Sequence, residues 1–320
     1  MRILITGATG LVGNHLVNLC HEQGIQVHYL TTRRKALESR ENYRGYYWDP
    51  ARNAIDPACF EGVGSIVNLA GAPIACRWTK SAKKRILKSR TESLRTLAKG
   101  LEQVGAREVN SLVTASGIGG YPSSLSEYYH EDFAGLDASF IGEVVGAWEK
   151  EADALKRFDL SVAKIRVGLV LAEEGGALPQ MARQVRLYAG AAYGSGEQWQ
   201  SWIHVRDLAR MFLFILNHRL EGLYNGVAPN PVTNAKLFRE IARTLDKPMW
   251  LPNIPEYLMK LILGEMASVL FASQRASSRK IEDLGFDFQF SNVCRALEDI
   301  YHPEEQSVSE ARMAGRDSYQ

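Results

Sequence analysis

Three glycines, Gly7, Gly10 and Gly13, recur at every third position directly after an apolar run at residues 2–6. Such a run predicts a strand that turns sharply into a helix. The first glycine permits the tight turn, the second lets phosphates approach the backbone, and the third lets the helix pack against the strand. The helix N-terminus then presents free N–H groups and partial positive charge. The pattern therefore predicts a site for a dinucleotide pyrophosphate; the alternative is an ordinary strand–helix turn rich in small residues.

The second strand expected of such a unit covers residues 27–30, and the residues after it indicate which dinucleotide is bound. NAD-binding folds usually place a carboxylate here, where it binds the adenosine ribose. This chain has Thr31, Thr32 and Arg33 instead, followed by two more basic residues. Hydroxyl and guanidinium groups suit a ribose 2′-phosphate, because an arginine can bind it bidentately. We therefore expect NADP in preference to NAD; the alternative is a solvated basic turn.

The elements that must position these residues alternate between strand and helix. Further strands are predicted at 45–48, 65–70, 111–116 and 160–167, and helices at 14–23, 81–102 and 140–157. This order predicts an α/β fold with a doubly wound parallel sheet. Ligands of such folds bind beyond the carboxyl ends of the strands, and both the glycine turn and the basic turn follow such ends.

The alternation stops after about residue 175, which predicts a second, smaller lobe. We expect the dinucleotide-binding domain over 1–170 with a return segment at about 203–230, the smaller substrate lobe over 171–202 and 231–301, and a polar tail over 302–320. The apolar stretch 257–271 is interrupted by Lys260 and Glu265. That stretch therefore predicts an amphipathic helix and not a membrane span.

Composition excludes several classes of protein. The chain has 320 residues, of which 46% are hydrophobic, and a formal net charge of +2. We therefore expect neither a nucleic-acid nor a membrane partner. The four cysteines are scattered without metal-ligand spacing, which predicts reduced thiols and no metal site. The chain opens directly on the strand pattern, without a signal-peptide pattern, so we expect a cytoplasmic location.

The motifs together resemble the extended short-chain dehydrogenase/reductase superfamily, with its NAD-dependent epimerases and dehydratases. Within it the chain is similar to a family of nucleoside-diphosphate-sugar epimerase-like proteins of unknown substrate. The resemblance covers the chain to about residue 300. The motifs that carry it are residues 3–13, 67–71, 77–79, 89–90, 194–196, Gln198, 201–204 with Asp207, and 228–234.

The resemblance implies cofactor contacts at the end of each strand. Gly7, Thr9, Gly10, Leu11 and Val12 match the pyrophosphate turn, and Thr31, Thr32 and Arg33 match the ribose-phosphate turn. Asp49 matches the adenine side, and Leu69, Ala70 and Gly71 match the loop under the cofactor. Arg90 matches a contact on the helix that follows this loop, and Gly168 and Val170 match the nicotinamide side.

The catalytic residues of that superfamily match this chain only in part. They are usually a Ser or Thr with a Tyr-x-x-x-Lys pair on one helical face, where the Lys lowers the pKa of the Tyr. Ser116 matches the serine position. The chain has no Tyr-x-x-x-Lys spacing, and Ile141 and Val145 occupy the two positions. Tyr121 is the best substitute because it follows Ser116 closely; a packing or substrate-contact role is the alternative.

Other residues are weaker candidates for chemistry. Glu127 and Glu143 are weaker acid/base candidates than Tyr121. Gln198 and Trp202 are expected to border the substrate pocket. Asp207 is expected to begin the next helix as its N-cap.

Three functions stay open from the sequence. The first is an NADP-dependent oxidoreductase or epimerase that acts by hydride transfer on a small polar substrate, such as a sugar-like one. The second is a sensor or regulatory protein that binds NADP without turnover, which the missing Tyr–Lys pair permits. The third, an interaction scaffold, is disfavoured by the glycine and basic turns. We expect a monomer or a homodimer.

Overall fold

A computed structural model describes residues 1–105 and 108–303 of the chain. Its strands are β1 (Arg2–Thr6), β2 (Gln26–Thr31), β3 (Ser39–Arg40), β4 (Tyr43–Asp49), β5 (Ala54–Ile55), β6 (Ser65–Asn68), β7 (Ser111–Gly117), β8 (Tyr128–Tyr129), β9 (Ser161–Val167), β10 (Leu169–Leu171), β11 (Trp199–Gln200), β12 (Trp202–His204), β13 (Gly222–Gly226), β14 (Val232–Thr233) and β15 (Arg275–Ala276). Its helices are α1 (Leu11–Glu22), α2 (Lys80–Val104), α3 (Phe140–Asp153), α4 (Leu178–Arg186), α5 (Val205–Asn217), α6 (Asn234–Thr244), α7 (Glu256–Leu263), α8 (Ser268–Phe271), α9 (Arg279–Asp283) and α10 (Val293–Tyr301).

The central sheet has the strand order β13-β9-β7-β6-β1-β2-β4-β3, with β5 paired to β4. All pairs along this order are parallel except β3 with β4, and β5 is also antiparallel to β4. Helix α1 packs against α5 and α2 packs against α3, while both α3 and α5 contact β7. The two helix pairs therefore cover opposite faces of the sheet, which confirms the predicted doubly wound α/β fold.

Apolar strand residues explain why this sheet is buried on both faces. Ile3, Leu4 and Ile5 are fully buried, as are Ile66 and Val67 on the neighbouring strand. A continuous apolar run, without polar alternation, is typical of a parallel strand covered on both sides. Strand order reverses around β1, so the ends of β1 and β6 form the crevice where ligands of this fold bind.

A second core lies in the lobe built by α4, α6 and α10. Its fully buried side chains include Leu171, Trp202, Phe238 and Leu297. Strand β12 joins the lobe to the sheet, because it pairs with β10 and leads directly into α5. The chain also returns to the large core after the lobe, since Ile281 and Phe286 pack there.

Two local predictions from the sequence are wrong. The stretch 257–271 does not form one helix. Helix α7 ends at Leu263, and its C-cap Gly264 has a φ of +63°, a left-handed conformation that favours glycine. A 3-10 turn separates α7 from α8. Asp207 is not the N-cap of α5. His204 caps it instead, since its Nδ1 accepts a 3.1 Å hydrogen bond from the Arg206 N–H.

The buried carboxylate of Asp207 instead binds backbone N–H groups of a segment distant in the chain. It is fully buried, and its two carboxylate oxygens accept hydrogen bonds from the backbone N–H groups of Gln289 and Phe290 at 3.0 and 2.9 Å. It therefore fastens the segment before α10 to α5.

Within 1–105 and 108–303, no helix combines the length and the apolar character needed to cross a bilayer. Over the same residues, no group of three or more His, Cys, Asp or Glu side chains is placed to hold a metal ion. Most of the predicted polar tail, from residue 304 onward, lies outside the described residues.

Candidate functional site

The turn between β1 and α1 is built so closely that side chains are excluded from it. Gly7 has a φ of +72°, and its carbonyl oxygen accepts a 2.9 Å hydrogen bond from the Gly10 N–H. A Cβ on Gly13 would lie 2.1 Å from that same oxygen. Both positions therefore require glycine, one for its conformation and one for the close approach of α1 to the turn.

The N-terminus of α1 is open to an anion. Gly10 is its N-cap and offers no side-chain hydrogen bond, and the first turn contains no acidic residue. Thr9 and Gly10 are exposed, while Leu11 and Val12 are half-buried. The first N–H groups of the helix therefore lack a side-chain acceptor and carry the positive end of the helix dipole. This arrangement fits a phosphate group.

The loop after β6 is held directly against the glycine turn. A Cβ on Gly7 would lie 2.9 Å from the carbonyl carbon of Leu69. The Leu69 and Ala70 N–H groups each donate a 3.1 Å hydrogen bond to the Thr6 hydroxyl, which itself donates to Asn68 at 2.7 Å. These bonds set the positions of the two loops relative to one another at the crevice.

Arg90, on α2, contacts the loop after β6 through its side chain. Its guanidinium is buried, donates to the carbonyl oxygens of Ala72 and Ile86 at 3.1 and 3.0 Å, and lies 5.0 Å from the Trp148 ring. A Cβ on Gly71 would lie 3.2 Å from the guanidinium carbon. Burial lowers the pKa of Arg90 to about 10, so it stays charged at neutral pH. Its Nε is buried without a hydrogen-bond partner among the described residues.

The end of β2 brings a cation to the glycine turn. Arg33 is exposed, and its Nη2 lies 3.4 Å from the Thr9 hydroxyl. The Arg33 N–H donates to the Thr31 hydroxyl at 3.2 Å, which fixes the backbone here, while Thr32 is exposed. The next residue, Arg34, stacks its guanidinium 4.0 Å from the centre of the Tyr47 ring. Two guanidinium groups therefore flank the position expected for the adenosine ribose.

The other predicted cofactor residues lie at or after the ends of β4 and β9. Asp49 ends β4 and lies 3.6 Å from Arg52. Gly168 separates β9 from β10, and a Cβ there would lie 2.1 Å from the Ser201 carbonyl oxygen. Val170, which was expected in a loop, belongs to β10 and pairs with Ile203.

A loop that sequence analysis did not single out lies over the glycine turn. It follows β10, and a Cβ on its Gly175 would lie 3.4 Å from the Leu11 side chain. His15 Nε2 on α1 lies 3.5 Å from the Glu174 carboxylate in the same loop. The loop therefore borders the pyrophosphate position from the lobe side.

Ser116 belongs to a buried charged cluster. Its hydroxyl donates a 2.8 Å hydrogen bond to Glu149 on α3. Arg166, which is the register partner of Ser116 on β9, binds the same carboxylate bidentately at 2.8 and 3.0 Å. Bidentate pairing satisfies the buried charges and holds the carboxylate in one orientation. Ser116 is therefore oriented by Glu149 and Arg166.

Tyr121 is also buried, and its hydroxyl is occupied. It donates to Asn225 at 2.9 Å and lies 3.2 Å from the His130 carbonyl oxygen. Burial raises the pKa of Tyr121, although the Arg166 guanidinium 4.5 Å from its ring opposes this. A tyrosine that exchanges protons at neutral pH needs the opposite shift. These contacts favour packing, and a catalytic role for Tyr121 stays a prediction.

Ile141 and Val145 pack where the superfamily has Tyr and Lys. A Cβ on Gly119 would lie 2.6 Å from Ile141 Cγ2, and a Cβ on Gly120 would lie 2.7 Å from Val145 Cγ1. The turn after β7 therefore rests directly on these two side chains. Neither of these two positions therefore carries a proton donor.

The remaining candidates have contacts of their own. Trp202 is fully buried and donates to the Asn230 carbonyl at 2.9 Å. Gln198 is buried and donates to the carbonyls of Tyr193 and Leu270 at 3.0 and 3.2 Å. Both hold the lobe together, so contact with a substrate stays a prediction. Glu127 and Glu143 are exposed, and Glu143 lies in the first turn of α3.

A family model described as the NAD dependent epimerase/dehydratase family matches residues 3–226. The chain belongs to this family. A second model, a domain of unknown function (DUF1731), matches residues 254–300. The epimerase family match covers the sheet with its helices, and the second match covers α7 to α10.

Relatives of similar length carry the same family name. An epimerase family protein of Staphylococcus epidermidis is 36% identical over 306 residues, with 93% of this chain and 98% of that protein covered. Epimerase family protein YfhF of Bacillus subtilis is 35% identical over 301 residues, with coverage of 94% and 98%.

Solved structures of epimerases share the architecture. The human epimerase family protein SDR39U1, solved with NADPH, superposes with a TM-score of 0.81 at 29% identity, covering 94% of this chain and 99% of that chain. UDP-glucuronic acid 4-epimerase from Bacillus cereus, solved with UDP-glucuronic acid and NAD, gives a TM-score of 0.74 at 14% identity, covering 96% and 99%. The latter shows the fold alone.

Glu149, which contacts both Ser116 and Arg166 in this epimerase family chain, is a residue that sequence analysis did not single out. It lies four residues after Val145 and eight after Ile141, and therefore on the same helical face. That spacing is a usable signal, because a carboxylate on this face must meet the end of β7.

Proposed function

We propose that this epimerase family protein binds NADP(H) at the crevice formed by the ends of β1 and β6, with the adenosine ribose towards the end of β2. The observation that carries the proposal is the position of Arg33, whose Nη2 lies 3.4 Å from Thr9 in the glycine turn. From there a guanidinium reaches a phosphate on the adenosine ribose, while the α1 N-terminus binds the pyrophosphate. None of residues 31–37, which follow or end β2, is acidic. The NADPH in the human relative's structure supports the same choice.

We further propose that the protein is an oxidoreductase or epimerase-like enzyme for a small polar substrate such as a nucleotide sugar. A bound nicotinamide would donate or accept a hydride at the carboxyl edge of the sheet. The chain's own contribution is the Ser116 hydroxyl, which Glu149 holds in one orientation. We assign Ser116 to orienting a substrate hydroxyl, which would donate a hydrogen bond to the serine oxygen, because the serine proton is donated to Glu149.

A second candidate function is a sensor that binds NADP(H) without turnover. The observation that favours it is the apolar pair Ile141 and Val145, which fills the usual positions of Tyr and Lys and contacts the turn after β7. A protein with this arrangement keeps the cofactor site while it lacks the usual proton donor.

Titration of the purified protein with NADPH and NADH, followed by tryptophan fluorescence and thermal unfolding, tests cofactor binding. We expect NADPH to bind more tightly and to raise the unfolding temperature more at equal concentration. Equal effects of the two, or no effect of either, would contradict the cofactor assignment.

Turnover needs a separate experiment. NADPH deuterated at nicotinamide C4 is incubated with a panel of nucleotide sugars and small carbonyl compounds, and the products are analysed by mass spectrometry. Deuterium in a product supports an oxidoreductase. An epimerase takes the hydride from its substrate and returns it, so the nucleotide sugars are also incubated with NADP⁺ and the products are separated by chromatography; a new epimer supports an epimerase. Tight NADPH binding with neither a labelled product nor a new epimer across the panel supports the sensor.

A further inference from the structure

Helix α7 exposes its apolar side chains to solvent. Tyr257 is 74% exposed, Leu261 78% and Ile262 61%, and Leu258 is exposed as well. Met259 is the buried residue of the helix, on the side away from Tyr257 and Leu261. A contiguous exposed apolar face of this kind marks an interaction site in a protein whose other large side chains are mostly buried.

Helix α2 begins with a dense group of exposed cations. Residues 77–88 contain six Lys or Arg and no Asp or Glu. Of these, Lys83 and Lys88 pair with Glu265 and Glu92. The other four are exposed and make no ion pair with any described residue; they are Arg77, Lys80, Lys84 and Arg85. The net charge of +2 for the whole chain shows that this positive group is local.

The two features adjoin one another. Glu265, directly after α7, forms its ion pair with Lys83 on α2. Met266 packs into an apolar cluster with Trp78 and Ile86 at the start of α2. Glu256, the carboxylate on α7 itself, is already paired with Lys260. We call the combined area the α2–α7 surface; it consists of Arg77, Lys80, Lys84, Arg85, Tyr257, Leu258, Leu261 and Ile262.

We propose that the α2–α7 surface docks on an anionic lipid bilayer. Apolar side chains of a short interfacial helix enter the boundary between head groups and acyl chains, and neighbouring Lys and Arg bind the anionic head groups. Charge complementarity decides this choice, because four cations without partners face outward beside the apolar helix. The docking needs no membrane-spanning segment, and it departs from the expectation of no membrane partner that the near-neutral composition suggested.

A second copy of the chain is the competing occupant, and the charges disfavour it. A two-fold contact places the same patch of both copies face to face. The cations of one copy would then meet those of the other, and like charges in a contact with little water repel strongly. The apolar face of α7 alone does not remove that repulsion.

Vesicle sedimentation tests the proposal. The intact protein is centrifuged with vesicles of phosphatidylcholine alone and with vesicles of equal parts phosphatidylcholine and phosphatidylglycerol, at low and high salt. We expect binding to the anionic vesicles that weakens as salt is added. Replacing three cations (K80Q/K84Q/R85Q) should weaken the partition on the order of 100-fold, since each contributes about a fivefold step near an anionic surface.

Matched variants separate the surface from general charge and hydrophobicity. R183Q/K236Q/R239Q removes the same charge from exposed positions on α4 and α6 and should bind as the unmodified protein does. L261E/I262E should abolish binding, whereas L284E, at an exposed leucine just after α9, should not. No sedimentation with anionic vesicles, or equal loss in both triple variants, overturns the proposal. Light scattering that shows a dimer converted to monomer by L261E/I262E also overturns it, in favour of a second copy.

Discussion

The carbonyl oxygen of Gly7 lies 2.1 Å from the position that a Cβ on residue 13 would occupy. This closeness sets how tightly α1 approaches β1, and therefore where the first N–H groups of the helix stand relative to the crevice. A methyl group at this position cannot be accommodated without moving backbone.

Gly13→Ala should therefore destabilise the fold and weaken cofactor binding together. We expect a loss of about 2 kcal/mol or more in the free energy of unfolding, typical of overpacking against rigid backbone, measured by urea denaturation. NADPH affinity, measured by fluorescence, should fall in the same variant. Gly64→Ala is the control, because a Cβ at Gly64 has no atom within 4 Å. Equal stability of the two variants would show that the turn can relax.

Arg33→Gln tests the preference for the 2′-phosphate. The variant keeps a polar side chain and removes the charge beside Thr9, so NADPH affinity should fall by a factor of about 10 to 100, the value of a hydrogen bond to a charged group. NADH affinity should stay the same, because NADH lacks that phosphate. Lys35→Gln removes a charge two residues away and serves as control. A parallel loss of NADH affinity would assign Arg33 to the shared part of the cofactor.

Tyr121→Phe separates a packing role from a catalytic one. The variant removes the hydrogen bond to Asn225 and leaves that buried amide oxygen without its donor, so we expect a loss of about 1 kcal/mol in the free energy of unfolding. Since burial raises the pKa of Tyr121, the hydroxyl holds its proton at neutral pH, and any labelled-product formation should continue unchanged. Abolished turnover in a stable, NADPH-binding variant would restore Tyr121 as the catalytic acid.

The ion pair of Asp299 on α10 with Arg206 on α5 makes part of the folding stability depend on pH. Burial raises the pKa of Asp299, but the contacts with His204 and Arg206 outweigh that and hold the pKa below its ordinary value of 3.8. The stabilisation is therefore present above pH 3.8 and is lost as pH falls through the lower folded-state pKa. Asp299→Asn should be less stable at pH 7 by about 1–3 kcal/mol, and the difference should shrink towards pH 3.

Urea denaturation across pH measures this difference. Asp283→Asn serves as its control, because the ion pair of Asp283 with Arg279 is well exposed and should contribute less than about 1 kcal/mol. A difference between Asp299→Asn and the unmodified protein that stays constant down to pH 3 would contradict the assignment.

Local spacing was enough to predict the sheet and the cofactor crevice. The glycine turn, the basic residues after β2 and the loop after β6 each depend on a few consecutive residues, and their backbone requirements can be read from residue type. The exact ends of helices were less predictable. His204 replaced Asp207 as the cap of α5, because Asp207 is drawn into the interior by the backbone N–H groups of Gln289 and Phe290.

The sequence by itself determined that a parallel α/β sheet presents a bare glycine turn, with an arginine nearby and without a Tyr-x-x-x-Lys pair. Only the tertiary structure decided which groups orient Ser116. Glu149 and Arg166 contact Ser116 because α3, β7 and β9 pack together. Helices α2 and α7 are likewise distant in the chain and lie side by side in the fold. Contacts between residues so far apart in the chain depend on packing, which residue spacing does not encode.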